Sequence, residues 1–427
     1  QRQMCIRDRA LSMMLHLGHT CFSFWQNRTF SLHNLISAWF SIIVCLGYFI
    51  VDTGIYQAVY GTSLKFPYEP YILEFLFYLV FMWPFRNYST KDIQITEIPH
   101  FNKKIQTILK LLLVAYGVYF VLLLKVALYV YTQGIGEAYN AAHYEGASLY
   151  PYSNFELKII WICGSLYDWT SPVIMLYALY GIITNKNGWS RRYNSFCLLL
   201  IIFMFFLSCV STGQRGGTFF FMVRLLFVFV PFWTQFPKKV KAVIMSYLPW
   251  VVLLFFLYAV SMTLYRTEGS TSETPLTQVL RYLGEPYPHL GNVFWNKVLV
   301  YPMGARLFPF VIEPSTIVAS AKSLGEQHVI WQSITGVPIL NYKTLYGDFY
   351  VDFGPYIPFA FIFVYSLILK FFTSSGKVKF AAYPVLYYYI VWASTAPLWF
   401  SMRDWIGIKN LLAAIMLYYI IKAIIKK

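Results

Sequence analysis

The sequence predicts an all-α fold, a polytopic transmembrane helical bundle of about ten spans with one long external loop carrying interfacial helices. Three observations lead there. Apolar residues fill 58% of the 427 positions and charged residues 12%, and the mean hydropathy is +0.54; no soluble domain of this size needs that balance. Apolar runs of spanning length recur along the chain. Basic residues alternate between rich and poor loops, which is the orientation signal of a multi-pass membrane protein. The 13 Trp, 36 Tyr and 38 Phe fit an aromatic belt and a membrane-facing vestibule.

In chain order, residues 1–9 hold three arginines and no starting Met. They resemble a translated cloning adapter and are set aside as a non-native leader. Residues 10–24 are apolar but interrupted by His16 and His19, and they read as the remnant of a truncated span that would make an eleventh. The remaining spans fall at about 34–52, 70–85, 107–131, 158–183, 194–210, 217–234, 243–262, 355–373, 380–398 and 405–422. Arg86, Lys91, Lys103 and Lys104 follow the second span; Lys186, Arg191 and Arg192 follow the fourth; Lys238, Lys239 and Lys241 follow the sixth. Lys377 and Lys379, then Lys422, Lys426 and Lys427, continue the series. By contrast 53–69 holds only Lys65, and 132–157 holds no basic residue. Both termini are therefore expected in the cytoplasm, with a transmembrane bundle over 10–262, a large external loop over 263–354, and C-terminal transmembrane helices over 355–427. No internal repeat is visible, which counts against an inverted-repeat transporter.

The net charge of +16 is spread over loops. It serves orientation and affinity for anionic lipid or an anionic substrate; nucleic-acid binding would need a soluble basic face. None of the six cysteines lies in the long loop or forms a CxxC pair, so neither a disulfide framework nor a zinc site is expected, and no cofactor is implied.

The polar loop carries most of the chemistry. Ser211-Thr-Gly-Gln-Arg-Gly-Gly217 opens a span with Arg215 and two glycines, where a helix start and a guanidinium favour phosphate oxygens; a snorkelling Arg in a tight turn is the plain alternative. Arg224 lies two turns further on, where pairing with Asp168 is the structural reading. The stretch Leu276–Val300 is amphipathic and expected in the interface plane. It holds Arg281, Tyr282, Glu285 and His289, and its aromatic rings suit sugar faces or acyl chains equally. With Arg306 this gives cations for a diphosphate and bases for a hydroxyl. In Gly347-Asp-Phe-Tyr-Val-Asp-Phe-Gly354, Asp348 and Asp352 share one face if helical, as acid/base or metal ligands, with capping of the following helix by Asp352 as the plain alternative. Arg403 and Asp404 reach the same side from the last outer turn.

Three elements in this order resemble the oligosaccharide repeat-unit polymerases of bacterial capsule and O-antigen synthesis (the Wzy type). They are Ser211–Gly217, Tyr282-Leu-Gly-Glu-Pro-Tyr-Pro-His-Leu-Gly-Asn292, and Thr344-Leu-Tyr-Gly-Asp-Phe-Tyr-Val-Asp-Phe-Gly354. The likeness covers the topology from Asn34 onward and, as motifs, the second half. Many members carry paired Arg-rich external loops; here loop 132–157 lacks them, which argues against a two-loop cationic mechanism. The resemblance implies a metal-independent, inverting glycosyl transfer at the outer face of the inner membrane, between undecaprenyl-diphosphate-linked glycans, with a chain-length regulator protein as partner. It implies Arg215 for the diphosphate, then Arg281 and Arg306. For the base it implies Glu285 or His289, then Asp352, with Tyr282, Asp348 and Arg403 as further substrate contacts. A lipid-linked oligosaccharide flippase and an O-antigen ligase are the rival expectations.

Overall fold

The computed structural model describes residues 2–28, 30–61, 67–89, 94–98, 103–141, 148–213, 215–267, 274–308, 324–339, 343–373, 377–398 and 404–425. The chain is all-α. Its first helices are α1 (Arg2–Asn27), α2 (Leu32–Asp52), α3 (Ile55–Tyr60) and α4 (Glu69–Met82), followed by a short strand β1 (Gln94–Thr96). Then come α5 (Lys103–Gln133), α6 (Ile135–Asn140), α7 (Asn154–Thr184), α8 (Arg191–Ser211), α9 (Arg215–Phe229) and α10 (Lys238–Thr267). The loop region holds α11 (Pro275–Gly284), α12 (Pro286–His289), α13 (Leu324–Thr335) and α14 (Leu345–Phe353). The chain finishes with α15 (Ile357–Phe372), β2 (Lys377–Lys379), α16 (Tyr383–Thr395) and α17 (Asp404–Ile425). Each apolar run anticipated above falls on a helix.

Among the described residues, five helical segments are long and apolar enough to cross a membrane: Leu32–Asp52, Thr107–Gln133, Asn154–Thr184, Arg191–Ser211 and Gly217–Gln235. Their outward faces are hydrocarbon. Leu111, Val114 and Val121 on α5 are each more than 60% exposed, and Leu199 on α8 is 64% exposed. Elsewhere in the chain the carboxylates of Glu74, Asp348 and Asp352 and the imidazoles of His16 and His289 are buried. That inversion of the soluble pattern is the build of a membrane-embedded protein.

The elements divide into two compact units. The first comprises Gln1–Lys91, Ser270–Gly376 and Tyr389–Lys409, and the second Asp92–Gly269, Lys377–Tyr388 and Asn410–Lys427. In the second, α5, α7 and α8 pack on one another. Ser153 and Glu156 form a capping box at the start of α7, and β1 pairs in parallel with β2. Asn187 and Asn194 exchange amide hydrogen bonds at 2.8 and 3.2 Å against Gly181.

In the first unit α1 folds back on α2 as a helical hairpin. Ser31 caps α2 by accepting the Asn34 N–H. α4 gives way to a 3-10 turn over Trp83–Tyr88, because Pro84 has no N–H to offer the carbonyl four residues back. That carbonyl, of Val80, takes the Ser366 hydroxyl of α15 at 2.9 Å instead. The middle of the stretch Leu276–Val300, expected in the interface plane, packs on protein. α11 seats on α2, with only positions such as Leu276 and Val279 left exposed, and Tyr287, His289, Leu290 and Phe294 are buried. Glycines make the seat possible: a Cβ on Gly284 would lie 2.7 Å from the Leu46 carbonyl oxygen.

Candidate functional site

The second loop motif forms a helix of nine residues, α14, capped by Thr344, whose hydroxyl accepts the Gly347 N–H at 3.1 Å. Helical spacing puts Asp348 and Asp352 on one face, as expected, and both are fully buried against the chain at 303–307. Arg306 donates to Asp348 Oδ1 at 2.8 Å and to the Asp348 main-chain oxygen at 2.6 Å, while its Nε lies 3.8 Å from Asp352 Oδ1. Asp352 Oδ2 accepts the Leu307 N–H at 3.2 Å, and its main-chain oxygen accepts that of Met303 at 2.9 Å. Asp352 therefore anchors the preceding loop rather than capping α15. Lys343, also fully buried, donates to the Ile339 carbonyl at 2.7 Å and stands 3.7 Å from Asp348 Oδ1. Two cations and two carboxylates thus share one buried cluster.

The first motif forms a second cluster on α11, α12 and α3. Arg281 donates to Glu285 Oε2 at 2.9 Å, one helical turn on, and Tyr60 donates to the same oxygen at 3.1 Å. The Arg281 guanidinium covers the Tyr282 ring at 4.7 Å. His289 sits edge-on to Tyr60, ring centres 4.8 Å apart, and also meets Phe294 at 6.3 Å. The Lys343 ammonium lies over the Phe294 ring, 5.5 Å from its centre. One aromatic ring therefore links the two motifs. Arg281, Tyr282, Glu285, His289, Arg306, Asp348 and Asp352 all belong to this unit, and the structure brings them together around α11, α12 and α14.

A third group was not anticipated. Glu74, on α4 and 1% exposed, lies 3.0 Å from His16 Nε2 and accepts the Tyr287 hydroxyl at 2.9 Å. The sequence signal was present, since a carboxylate inside the apolar run 70–85 is costly in lipid and marks function by default. Lys343 offered no such signal, being a lone basic residue in a polar loop. Tyr60 and Tyr287 were two tyrosines among 36.

Arg215 begins α9 in the second unit, and its side chain falls outside the described residues, as does Arg403. Arg224 does not pair with Asp168. Its guanidinium lies over the rings of Phe205 and Phe221, at 5.5 and 6.0 Å, a cation–π arrangement that suits a desolvated cation.

Chemically, the Arg281 and Arg306 guanidinium groups are already matched by Glu285 and Asp348, so neither is a bare cation. Burial pushes the Asp352 carboxyl up to about 6, against the pull of Arg306. Burial pushes the Lys343 ammonium down to about 7, against the pull of Asp348. These are groups that take and release a proton near neutrality, as acid/base chemistry requires. They also fix a pH profile for stability. A carboxyl whose folded pKa is raised stabilises below its unfolded value, and that contribution is lost as pH rises to about 6. An amine whose folded pKa is depressed stabilises above its unfolded value, and that contribution is lost as pH falls to about 7. Thermal unfolding of the detergent-solubilised protein is expected to show a shallow stability minimum between these two values. Asp352→Asn should flatten its acid side and Lys343→Met its alkaline side; unchanged limbs in both variants would refute the assignment.

Comparison with protein-family models, curated proteins and solved structures returns no match.

Proposed function

We propose that the chain is a membrane glycosyltransferase that polymerises undecaprenyl-diphosphate-linked oligosaccharide repeat units at the outer face of the bacterial inner membrane. In this reading about ten spans cross the bilayer, both termini are cytoplasmic and the 263–354 loop is periplasmic. The observation that carries it is that the two loop motifs form two buried clusters of carboxylates and paired cations, with His289 and Lys343 both beside the Phe294 ring. An acceptor hydroxyl attacks the anomeric carbon of the donor glycan, the bond to the diphosphate breaks, and undecaprenyl diphosphate leaves with the electron pair. The hydroxyl proton passes to a base. Asp352 suits that role through its raised proton affinity, alongside Glu285 and His289. The resemblance gives the charge on the departing diphosphate to Arg215, then to Arg281 and Arg306. A chain-length regulator protein would act on the product.

The test is the length of surface glycan on a gel, in a gene-deleted host complemented with wild type or Arg215→Ala. Long chains with wild type and single repeat units with the variant are expected. Unchanged length with a well-expressed variant rejects the role of Arg215, and long lipid-linked chains that never reach their acceptor indicate a ligase.

A second reading, a flippase for the same lipid-linked oligosaccharides, is favoured by one observation: Glu74 and His16 pair inside the helices rather than in the loop. Loss of all surface glycan, with lipid-linked units trapped inside, would select it.

A further inference from the structure

α15 is apolar but short. Its 16 residues rise about 24 Å at about 1.5 Å each, while the hydrocarbon core of a bilayer is about 30 Å thick. Phe363, Val364 and Leu367 form an exposed apolar face along it, the surface that lipid covers. The Lys370 ammonium lies 4.0 Å over the Trp83 ring, and Trp83 stacks on Phe363 at 6.0 Å. A cation beside an indole marks a membrane boundary, so one end of the apolar face is set within a turn of Lys370. The missing length falls at the other end, before Ile357.

At that end the loop supplies apolar surface. Residues 299–303 run beside the turn that leads from α14 into α15. Leu299 donates its N–H to the Thr335 carbonyl at 2.8 Å, and Met303 donates its own to the Asp352 carbonyl at 2.9 Å. Between them the Tyr301 ring lies against Gly354, where an added Cβ would be 3.6 Å away. The backbone is thus held while the side chains are not. Leu299 is 76% exposed, Val300 53% and Met303 55%, and Tyr356, just ahead of α15, is 74% exposed. Asn296 and Lys297, immediately before, are exposed and polar. The outward surface therefore changes from polar to apolar across Val298.

Met303 adds an independent sign. Its φ of 54° is left-handed, a conformation that costs a residue with a Cβ and is free to glycine. A long apolar side chain is held outward against the preference of its own backbone. In water that arrangement gains nothing; in hydrocarbon it takes apolar surface out of water.

We propose that Leu299, Val300 and Met303 insert into the lipid leaflet at the head of α15, beside Tyr356. They extend the apolar face of a helix too short to cross alone. Asn296 and Lys297 stand at the headgroup level, where a polar tip stays wet above an apolar body. The occupant is acyl chain, because the patch adjoins the head of α15 and makes up the length that helix lacks. Phe294 precedes the segment and Arg306 follows it, so both loop motifs are held at a fixed depth against the bilayer. The proposal does not rest on the polymerase reading.

Fluorescence quenching tests it, with the full chain in nanodiscs of phosphatidylcholine and phosphatidylglycerol, both faces of which are open to the buffer. Leu299→Cys, Val300→Cys and Lys297→Cys each carry a nitrobenzoxadiazole dye, and the label on the parent chain's own cysteines is subtracted. Lipid bearing a nitroxide high on its acyl chain is expected to quench the dye at Leu299 and Val300 several-fold more strongly than iodide does. Iodide should be the stronger quencher at Lys297. Equal or stronger quenching by iodide at Leu299 and Val300 would make the segment a solvated loop. Protection from both quenchers would mean that protein covers it. Either result overturns the proposal, as does a lipid preference at Lys297. Should Leu299→Cys fail to fold, through loss of its contact with Gly336, Val300→Cys decides.

Discussion

Asp348→Ala is expected to destabilise the protein by about 3–5 kcal/mol, the cost of breaking a buried pair from one side. The residue is fully buried, takes two contacts from Arg306 through its side chain and main chain, and has Lys343 3.7 Å away. Its removal strands two cations that neither water nor Asp352 alone can neutralise. Replacing Arg306 as well, with Met beside Asp348→Leu, removes one stranded charge and should recover part of the loss. Unfolding in detergent, followed by tryptophan fluorescence, measures both variants. A loss below about 1 kcal/mol for Asp348→Ala, the value of an exposed pair, would mean that the cluster is open to solvent.

Gly284→Ala is the second large effect, and it acts on geometry. Its new methyl group would lie 2.7 Å from the Leu46 carbonyl oxygen and 2.9 Å from the carbon behind it, and backbone cannot turn aside as a side chain can. α11 must lift from α2. Overpacking of this kind costs about 1–3 kcal/mol, but the heavier consequence is positional. Glu285 is the next residue and His289 one turn further, and a displacement of about 1 Å at a reacting group costs on the order of 100-fold in rate. On the proposed function, glycan polymerisation should fall by about that factor while the protein still inserts. Gly117→Ala on α5, where an added Cβ meets nothing within 4 Å, should leave polymerisation unchanged. Equal behaviour of the two variants would show that the α2–α11 contact does not position the site.

Long hydrocarbon runs made the helices legible, because spanning length and uniform apolarity leave few alternatives. The shared face of Asp348 and Asp352 was legible for the same reason: a spacing of four becomes one face once the segment is helical. What pairs with what was not. The Arg306–Asp348 contact joins residues 42 apart, and the Tyr60–Glu285 contact joins residues 225 apart, separations at which local pattern carries no information. The packing of α11 on α2 was not legible for a related reason: an amphipathic stretch looks alike whether its apolar side meets lipid or another helix. His16 and His19 interrupt the apolar run 10–24 of α1, and what they contact, Glu74 and Ser37, was not legible from the run itself. Both histidines lie on the side turned to α2.

That reversed helix has a consequence for how the protein is made. Met14, Phe22 and Trp25 of α1 point outward, while Ser12, His16, Thr20 and Ser23 point inward. Released alone into hydrocarbon, the inward stripe would have no partner, and each stranded polar group would cost on the order of kcal/mol. α2, with a window hydropathy of 2.0, meets no such obstacle. α1 is therefore expected to enter the bilayer only together with α2, which follows it in the chain and covers its polar stripe.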